Sequence, residues 1–495
     1  MMMSPSLVIN VLWLLPLVAA LVAWRLPSVR AILGVILAVV VVLVPCAVWL
    51  VALSLRLGRV TAASQWLLVD ALSGFHLLVM LVVFGLSAIF AWSYFGAEVA
   101  HGHFSLRQAR RFGALWLGAQ GAMTAVLISN NLAMQWVGIE ATTLLTAFLI
   151  STHTTSASLE ATWKYLMICS VGVAFAFVGT LLVATAAMHA HTGSHNALLW
   201  TELLAAPERL DPLLIKAGFV FLLVGYGTKA GLAPMHSWLP DAHSQAPAPV
   251  SALFSGFLLN AALYCLMRYL PVVEGAPTLT GFAPGLLVFF GVVSVIVAAA
   301  FILFQTDAKR LLAYCSVEHL GIVALGLGLG GVGTFAALFH TLNHSVAKSL
   351  AFFAAGRLGQ TYGTHDMNKL TRTLHHSPVW GTGLFVSLLA LVGAAPFALF
   401  MSELQVVMAA SHRHAYWTLG LFLAGAAVVF VGMLRRAIAM AWGGAAAATP
   451  RPGFALLDLG LVLLCVAALV TLGLFIPPGL NETLVAAARI AGGGR

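Results

Sequence analysis

Charge is scarce in this chain. Only 8% of its 495 residues are Asp, Glu, Lys or Arg, against about a quarter in soluble domains. So little charge cannot cover a water-facing surface, which excludes a soluble globular enzyme. Cysteine is sparse too. Cys46, Cys169, Cys265, Cys315 and Cys465 lie apart in apolar stretches, and none forms a CxxC pair. An iron–sulfur cluster or a structural zinc needs clustered thiolates, so no metal centre and no cofactor is expected here. The thiols read as small buried hydrophobes. A nucleotide loop is missing. Polar inserts are short: the longest, His189–Pro212 and Gly356–Pro378, cannot fold alone. Ser6–Trp24 is apolar enough to remain a span, and no small-residue cleavage site follows it.

What the chain has in abundance is apolar length. It is 61% hydrophobic. Uncharged runs such as Ala31–Leu55, Ala71–Ala97, Tyr165–Thr201 and His319–Ala347 each suffice for a helical membrane span. The 20-residue rule predicts an all-α integral membrane protein of about fourteen transmembrane helices. They fall near 6–24, 30–56, 68–94, 112–129, 131–152, 163–189, 212–238, 247–270, 281–305, 310–328, 333–356, 379–408, 415–442 and 456–477.

A pI near 9.6 invites a nucleic-acid partner, but the Lys and Arg lie in short loops, where positive charge sets topology. Odd-numbered loops hold the larger set: Arg25, Arg30, Arg107, Arg110, Arg111, Lys309, Arg310, Arg357, Lys369, Arg372, Arg435, Arg436 and Arg451. Even-numbered loops and tails hold Arg56, Arg59, Arg209, Arg268, Arg413, Arg489 and Arg495. The bias puts both termini on the outer face.

Two spans are interrupted beside an ionisable residue. The seventh reads Gly225-Tyr-Gly-Thr-Lys229-Ala-Gly-Leu-Ala-Pro234, and the twelfth Gly393-Ala-Ala-Pro396-Phe-Ala-Leu-Phe-Met-Ser-Glu403. Backbone freed by Gly and Pro survives in a membrane only against protein or a wet cavity. Paired broken helices point to an ion path near the midplane. Simple kinking by Pro234 and Pro396 is the alternative. The five-span separation predicts two inverted five-helix repeats, over 112–271 and 281–443. A three-helix segment, 1–111, precedes them, and a C-terminal helix and tail, 455–495, follow.

The ionisable groups within spans are Glu140, Lys229, His340, His344, Lys348 and Glu403, with Lys164, Lys216, Lys309 and Glu318 placed nearer the ends. Charge in hydrocarbon is costly and marks function by default. His340, His344 and Lys348 recur every fourth residue and share one helical stripe about 12 Å long. Titratable groups in such a stripe can relay protons; satisfied polar side chains gluing helices is the alternative. Glu140 needs a cation to remain charged, and Lys229 is the expected partner; a static buried ion pair is the alternative. Lys164 and Lys309 read equally as snorkelling to the surface.

Three motifs then carry a resemblance. Lys229-Ala-Gly-Leu-Ala-Pro-Met-His-Ser-Trp-Leu-Pro-Asp-Ala-His-Ser-Gln-Ala-Pro-Ala-Pro-Val-Ser-Ala-Leu253, Asp307-Ala-Lys-Arg-Leu-Leu-Ala-Tyr-Cys-Ser316 and Phe339-His-Thr-Leu-Asn-His-Ser-Val-Ala-Lys-Ser-Leu350 resemble the antiporter-like membrane subunits of complex I and membrane-bound [NiFe] hydrogenases. Ser316-Val-Glu318-His319-Leu-Gly321 and the Gly393–Glu403 stretch look most like the hydrogenase-4 component F branch. The resemblance is strongest from about residue 130 to 410. It implies a proton-translocating subunit in a bacterial cytoplasmic membrane, in contact with lipid and with other membrane subunits of a hydrogenase or complex I-like assembly. The [NiFe] and iron–sulfur centres would sit in partner chains, and no nucleic acid is involved.

By position, Glu140 and Lys229 match the family's Glu–Lys pair, the eleventh-span stripe matches His340, His344 and Lys348, and Glu403 matches the terminal residue of the twelfth span. His319 is a further accessory candidate. Asn260 stands where many relatives carry a central lysine and cannot titrate. Transfer across the centre must then use water, His340 or His344, or pumping is impaired. No counterpart of the long lateral helix of the largest complex I antiporter-like subunit is expected. The rivals are a stand-alone H⁺/cation antiporter subunit, a membrane component of an inorganic-carbon uptake complex and a scaffold that no longer conducts.

Overall fold

The computed structural model describes residues 4–190, 198–444 and 455–493. Arg451, Arg495 and part of the His189–Pro212 insert lie outside the described residues.

The chain opens with α1 (Pro5–Arg25) and α2 (Val29–Leu57), then a short antiparallel hairpin of β1 (Arg59–Ala62) and β2 (Leu67–Asp70). Arg59 pairs with Asp70 and Ala62 with Leu67. The hairpin corrects the purely helical expectation: the third span begins at 71, after a strand, rather than at 68. Its physical reason is local. Asp70 is extended and its side chain caps the next helix, accepting from Ser73 N at 2.9 Å while Ser73 Oγ accepts from Asp70 N at 2.9 Å. This reciprocal cap starts α3 (Ala71–Ala100).

A second capping box, Ser105 with Gln108, starts α4 (Leu106–Ile128). The helix therefore begins before the expected 112, and the boundary drawn at 111/112 falls inside it. Asn131 ends the α4–α5 continuity where expected: its side chain accepts from Ala133 N and Met134 N at the head of α5 (Leu132–Ile150). Asn130 donates instead to Gln65 O and Thr201 Oγ1, tying the hairpin to the chain beyond α6 (Ser156–Ala190), where α7 (Trp200–Ala205) lies.

The first interrupted segment consists of α8 (Pro212–Ala230) and α9 (Leu239–Gln245). Next, α10 (Ala248–Leu253) runs through a π-helical turn at Phe254–Leu258 into α11 (Leu259–Gly275). Then come α12 (Phe282–Ile302), α13 (Ala308–Leu329) and α14 (Val332–Tyr362), with a short α15 (Thr373–His376). The second interrupted segment is α16 (Pro378–Leu391) and α17 (Ala398–His412), followed by α18 (Tyr416–Trp442), α19 (Leu456–Leu474) and α20 (Pro478–Ala491). Helix α20 was not expected within the C-terminal tail; it buries Thr483, Leu484, Ala487 and Ala491.

Among the described residues, 11 helices are long and apolar enough to cross a membrane. Burial sorts them. The most apolar windows of Ala248–Gly275 and Ala308–Leu329 are entirely enclosed, whereas 22% of that of α18 and of α19 is buried. The outer helices thus show Leu, Val, Phe and Trp outward, a surface suited to lipid or apolar partners, while the polar residues collect on the enclosed helices. Small residues permit the tight crossings this needs. A Cβ on Gly225 of α8 would lie 2.5 Å from Ala176 N of α6, so that crossing admits no side chain.

Three cations read as loop charges are buried in helices. Arg268 lies in α11 at 1% exposure, Lys309 in the first turn of α13 at 3%, and Arg357 in α14 at 9%. Arg268 pairs bidentately with Asp70, at 2.6 and 2.8 Å. Arg357 meets Ser93 and Asp458, so α3, α14 and α19 are joined.

Candidate functional site

At the first break, Gly231 adopts the left-handed conformation, φ +77°, and its N–H donates to Thr228 O; Leu232 N–H donates to Gly227 O. Ala233 N–H reaches Ser294 Oγ at 2.9 Å, and the Trp238 indole donates to Thr228 O at 2.9 Å. Protein groups thus satisfy the backbone that the break frees. Lys229 sits in the last turn of α8, where the helix dipole favours a cation. It is fully buried. Its Nζ donates to Thr143 Oγ1 at 2.9 Å and to Tyr165 OH at 2.5 Å. Tyr165 OH also meets Thr146 Oγ1 at 2.6 Å.

The expected Glu140–Lys229 ion pair is not formed. Glu140 Oε1 accepts from Ser170 Oγ at 3.1 Å, and its Oε2 has no partner. Thr143, one turn further along α5, takes the lysine instead. Glu140 is half-buried, toward an outer face that exposes Val137, Leu144 and Phe148. The two groups belong to one polar region, but hydroxyls from α5 and α6 hold the cation. Tyr165 and Thr143 were missed because a lone hydroxyl in an apolar run carries no spacing signal.

The centre follows. Phe254 stands between Tyr165 and His243, its ring centroid 6.1 Å from each. Phe254 also opens the π-helical turn, where Gly256 O is released to accept from Asn260 Nδ2 at 3.0 Å and Ser345 Oγ at 2.5 Å. Such turns recur at functional sites. The Asn260 amide nitrogen is thus engaged with its own helix, and its Oδ1 has no partner. His243 is buried against Phe352, rings 5.1 Å apart, with neither ring nitrogen hydrogen-bonded. Lys348 is buried and donates to Leu312 O at 2.6 Å.

The second break brings the expected residues together. His340 and His344 stack, ring centroids 6.5 Å apart and planes 9° from parallel. His319 lies across from both, 5.0 Å from each ring, so it is a full member of the cluster. His319 Nδ1 is 2.9 Å from His340 Nε2, and His340 Nδ1 is 2.9 Å from Ser402 Oγ, which donates to Leu399 O. The first residue beyond Ser402 is Glu403. Its carboxylate folds back onto Gly393 at the break: a Cβ there would stand 2.2 Å from Glu403 Oε2. Gly393→Ala, strained also by φ +67°, is expected to displace the carboxylate and cut proton flux at least tenfold while the protein still inserts; flux in proteoliposomes at matched protein content checks this.

Glu318 was placed near a span end; it lies mid-way along α13, buried, with Oε2 unpartnered. Lys309 does not snorkel: it donates to Ser244 O at 3.0 Å and to Ala246 O, capping the end of α9. Lys164 does reach the surface, its side chain 45% exposed, and pairs with Glu160 and Asp241. Asp241 also takes Arg310. Lys216 is exposed over the Phe282 ring, 5.0 Å away, apart from the buried cluster.

The chain is similar to known proteins in sequence and in fold. The family described as NADH:quinone oxidoreductase/Mrp antiporter, TM, matches residues 129–429. A hydrogenase-4 component F homolog of Methylacidiphilum infernorum (isolate V4) is 38% identical over 351 residues, 71% of this chain and 74% of that protein. Hydrogenase-4 component B of Escherichia coli (strain K12) is 29% identical over 361 residues, covering 69% of this chain and 50% of its own length. In structure, the chain is similar to one in the membrane-bound sulfane sulfur reductase, an archaeal respiratory membrane complex, with TM-score 0.87, 24% identity and coverage of 98% and 97%. That likeness is one of fold. The chain is a multi-pass membrane protein and belongs to the NADH:quinone oxidoreductase/Mrp antiporter transmembrane family.

Proposed function

We propose that this chain is the proton-translocating membrane subunit of a redox-driven complex of the hydrogenase-4 or NADH-dehydrogenase type. What carries this is the run of titratable groups ending at the two helix breaks: the buried Lys229 with Tyr165 at one, and the buried His319 and His340 with the half-buried Glu403 at the other. Protonatable groups retained inside a membrane are the default mark of an ion path.

In this mechanism Lys229 takes up a proton while hydroxyls hold its amine. The half-buried Glu140 faces a neighbouring membrane subunit, and a change of charge there alters the field at Lys229. The proton crosses by water past Phe254 to His243, Lys348 and His344. A neutral imidazole accepts at one nitrogen and releases from the other, so His319 and His340 pass the proton through their shared hydrogen bond toward Ser402 and Glu403. Asn260 takes no proton. Glu318, beside this path, is an accessory acid.

The same proposal includes fourteen crossings in two inverted five-helix units with α8–α9 and α16–α17 as the broken seventh and twelfth spans, in a bacterial cytoplasmic membrane with termini on the outer face. Setting aside the buried Arg268, Lys309 and Arg357 leaves the loop bias in the same direction. The redox centres, [NiFe] and iron–sulfur, belong to partner chains.

The test is reconstitution with and without co-purifying subunits. The isolated chain is expected to show little Na⁺- or K⁺-driven proton movement. The complex, supplied with its electron donor, is expected to acidify one side, and His340→Gln to remove that acidification. Robust cation/proton exchange by the isolated chain would favour the antiporter and overturn the proposal.

A further inference from the structure

Two buried histidines and a half-buried carboxylate from three different helices converge beside the second break. We propose that His319, His340 and Glu403 form a binding site for a divalent transition-metal cation of the Zn²⁺ class. One ring nitrogen of each histidine and one oxygen of Glu403 lie within 4.8 Å of one another. Around tetrahedral zinc, with nitrogen donors at about 2.0–2.1 Å, neighbouring donors stand about 3.3 Å apart. His319 Nδ1 and His340 Nε2 are 2.9 Å apart, so a few tenths of an ångström of movement brings these two nitrogens to that spacing. Rigid helices supply all three groups.

The outer contacts point the same way. Metal-binding imidazoles are held by a hydrogen bond at their other nitrogen. His340 has that bond, from Nδ1 to Ser402 Oγ at 2.9 Å, and Ser402 is fixed by Leu399 O at 2.8 Å. The missing side chain at Gly393 gives the Glu403 carboxylate its position against the break. Two imidazole nitrogens and one oxygen suit zinc or nickel rather than magnesium or calcium. Three protein donors leave a fourth position for water. Cys315 and Glu318 offer a competing set with His319, also within 4.8 Å; the oriented His340 favours the first. Where the site is also the proton path proposed above, a bound ion takes the lone pairs that carry protons and stops the flux. Binding itself does not depend on that reading.

The full chain, purified in detergent with the subunits that accompany it, is titrated with Zn²⁺ alone. One ion is expected per chain beyond the number bound by the His340→Gln/Glu403→Gln double variant. X-ray absorption is expected to show nitrogen and oxygen donors at about 2.0–2.2 Å. Affinity is expected to fall tenfold or more in Glu403→Gln and in Ser402→Ala, and to stay unchanged in Cys315→Ser. Glu403→Gln and Ser402→Ala preserve shape, so the test survives a His340 variant that fails to fold. Equal binding by the wild type and the double variant, or a sulfur donor at about 2.3 Å, overturns the site. Flux is read separately: Zn²⁺ that binds as described without slowing flux upholds the site and overturns its place in the proton path.

Discussion

Replacing Lys229 by Met is expected to lower proton translocation about a hundredfold, the low end of what a positioned proton-transfer group contributes. The side chain keeps its length and loses its charge. Lys229 is the amine at the first break, its Nζ hydrogen-bonded to Thr143 and Tyr165. Tyr165→Phe separates positioning from titration. It removes one 2.5 Å contact but leaves the amine and the ring, whose centroid lies 4.7 Å away. Its expected loss is several-fold. Glu140→Gln is expected to slow the complex by altering the field at Lys229. Because Glu140 acts through Lys229, the Glu140→Gln/Lys229→Met double variant should be scarcely worse than Lys229→Met alone. Flux is measured in proteoliposomes containing the whole complex. Unchanged flux in Lys229→Met would remove the first break from the path.

The second large effect is on stability. Asp70→Asn is expected to cost about 3–5 kcal/mol, because it leaves a buried guanidinium without its counter-charge. Arg268 and Asp70 have side-chain exposures of 2% and 3%. Trp200 and Tyr264 close over the guanidinium, 4.5 and 5.1 Å from it, so water cannot replace the lost carboxylate. Asn retains the oxygen that caps α3, so the cap contributes little to the loss. The Asp70→Asn/Arg268→Met double variant is expected to recover most of the stability, since an apolar replacement of a buried pair is often neutral. Thermal unfolding in detergent measures both. A double variant as unstable as the single would place the effect in the hairpin turn instead.

Much of the architecture was legible because a membrane leaves few options. Long uncharged runs must be helices, since an unpaired backbone in hydrocarbon is too costly. Both interruptions were readable for the same reason: Gly231, Pro234, Gly393 and Pro396 sit beside a charge in otherwise apolar helices. The β1–β2 hairpin was not, because four-residue strands in a loop have no periodicity to detect. The expectation that Glu140 pairs with Lys229 came from charge alone. It failed because a buried ammonium is equally served by hydroxyls, and nothing in spacing says that Tyr165 and Thr143 point at it. Asn260 was readable as a residue that cannot titrate, but not the π-helical turn that presents Gly256 O to it.

By itself the sequence determined a helical membrane protein, the two helix breaks, the ionisable Lys229 and Glu403 beside them, and the His340–His344–Lys348 stripe, because hydropathy and helical period are one-dimensional properties. Only the tertiary structure decided which groups meet. It set His319 against His340 through a crossing of α13 and α14, put Ser402 behind that pair, folded Glu403 onto Gly393, and moved Arg268, Lys309 and Arg357 from loops into the interior. Those contacts depend on helix rotation and crossing, which packing of side chains across separate segments fixes and no single segment encodes.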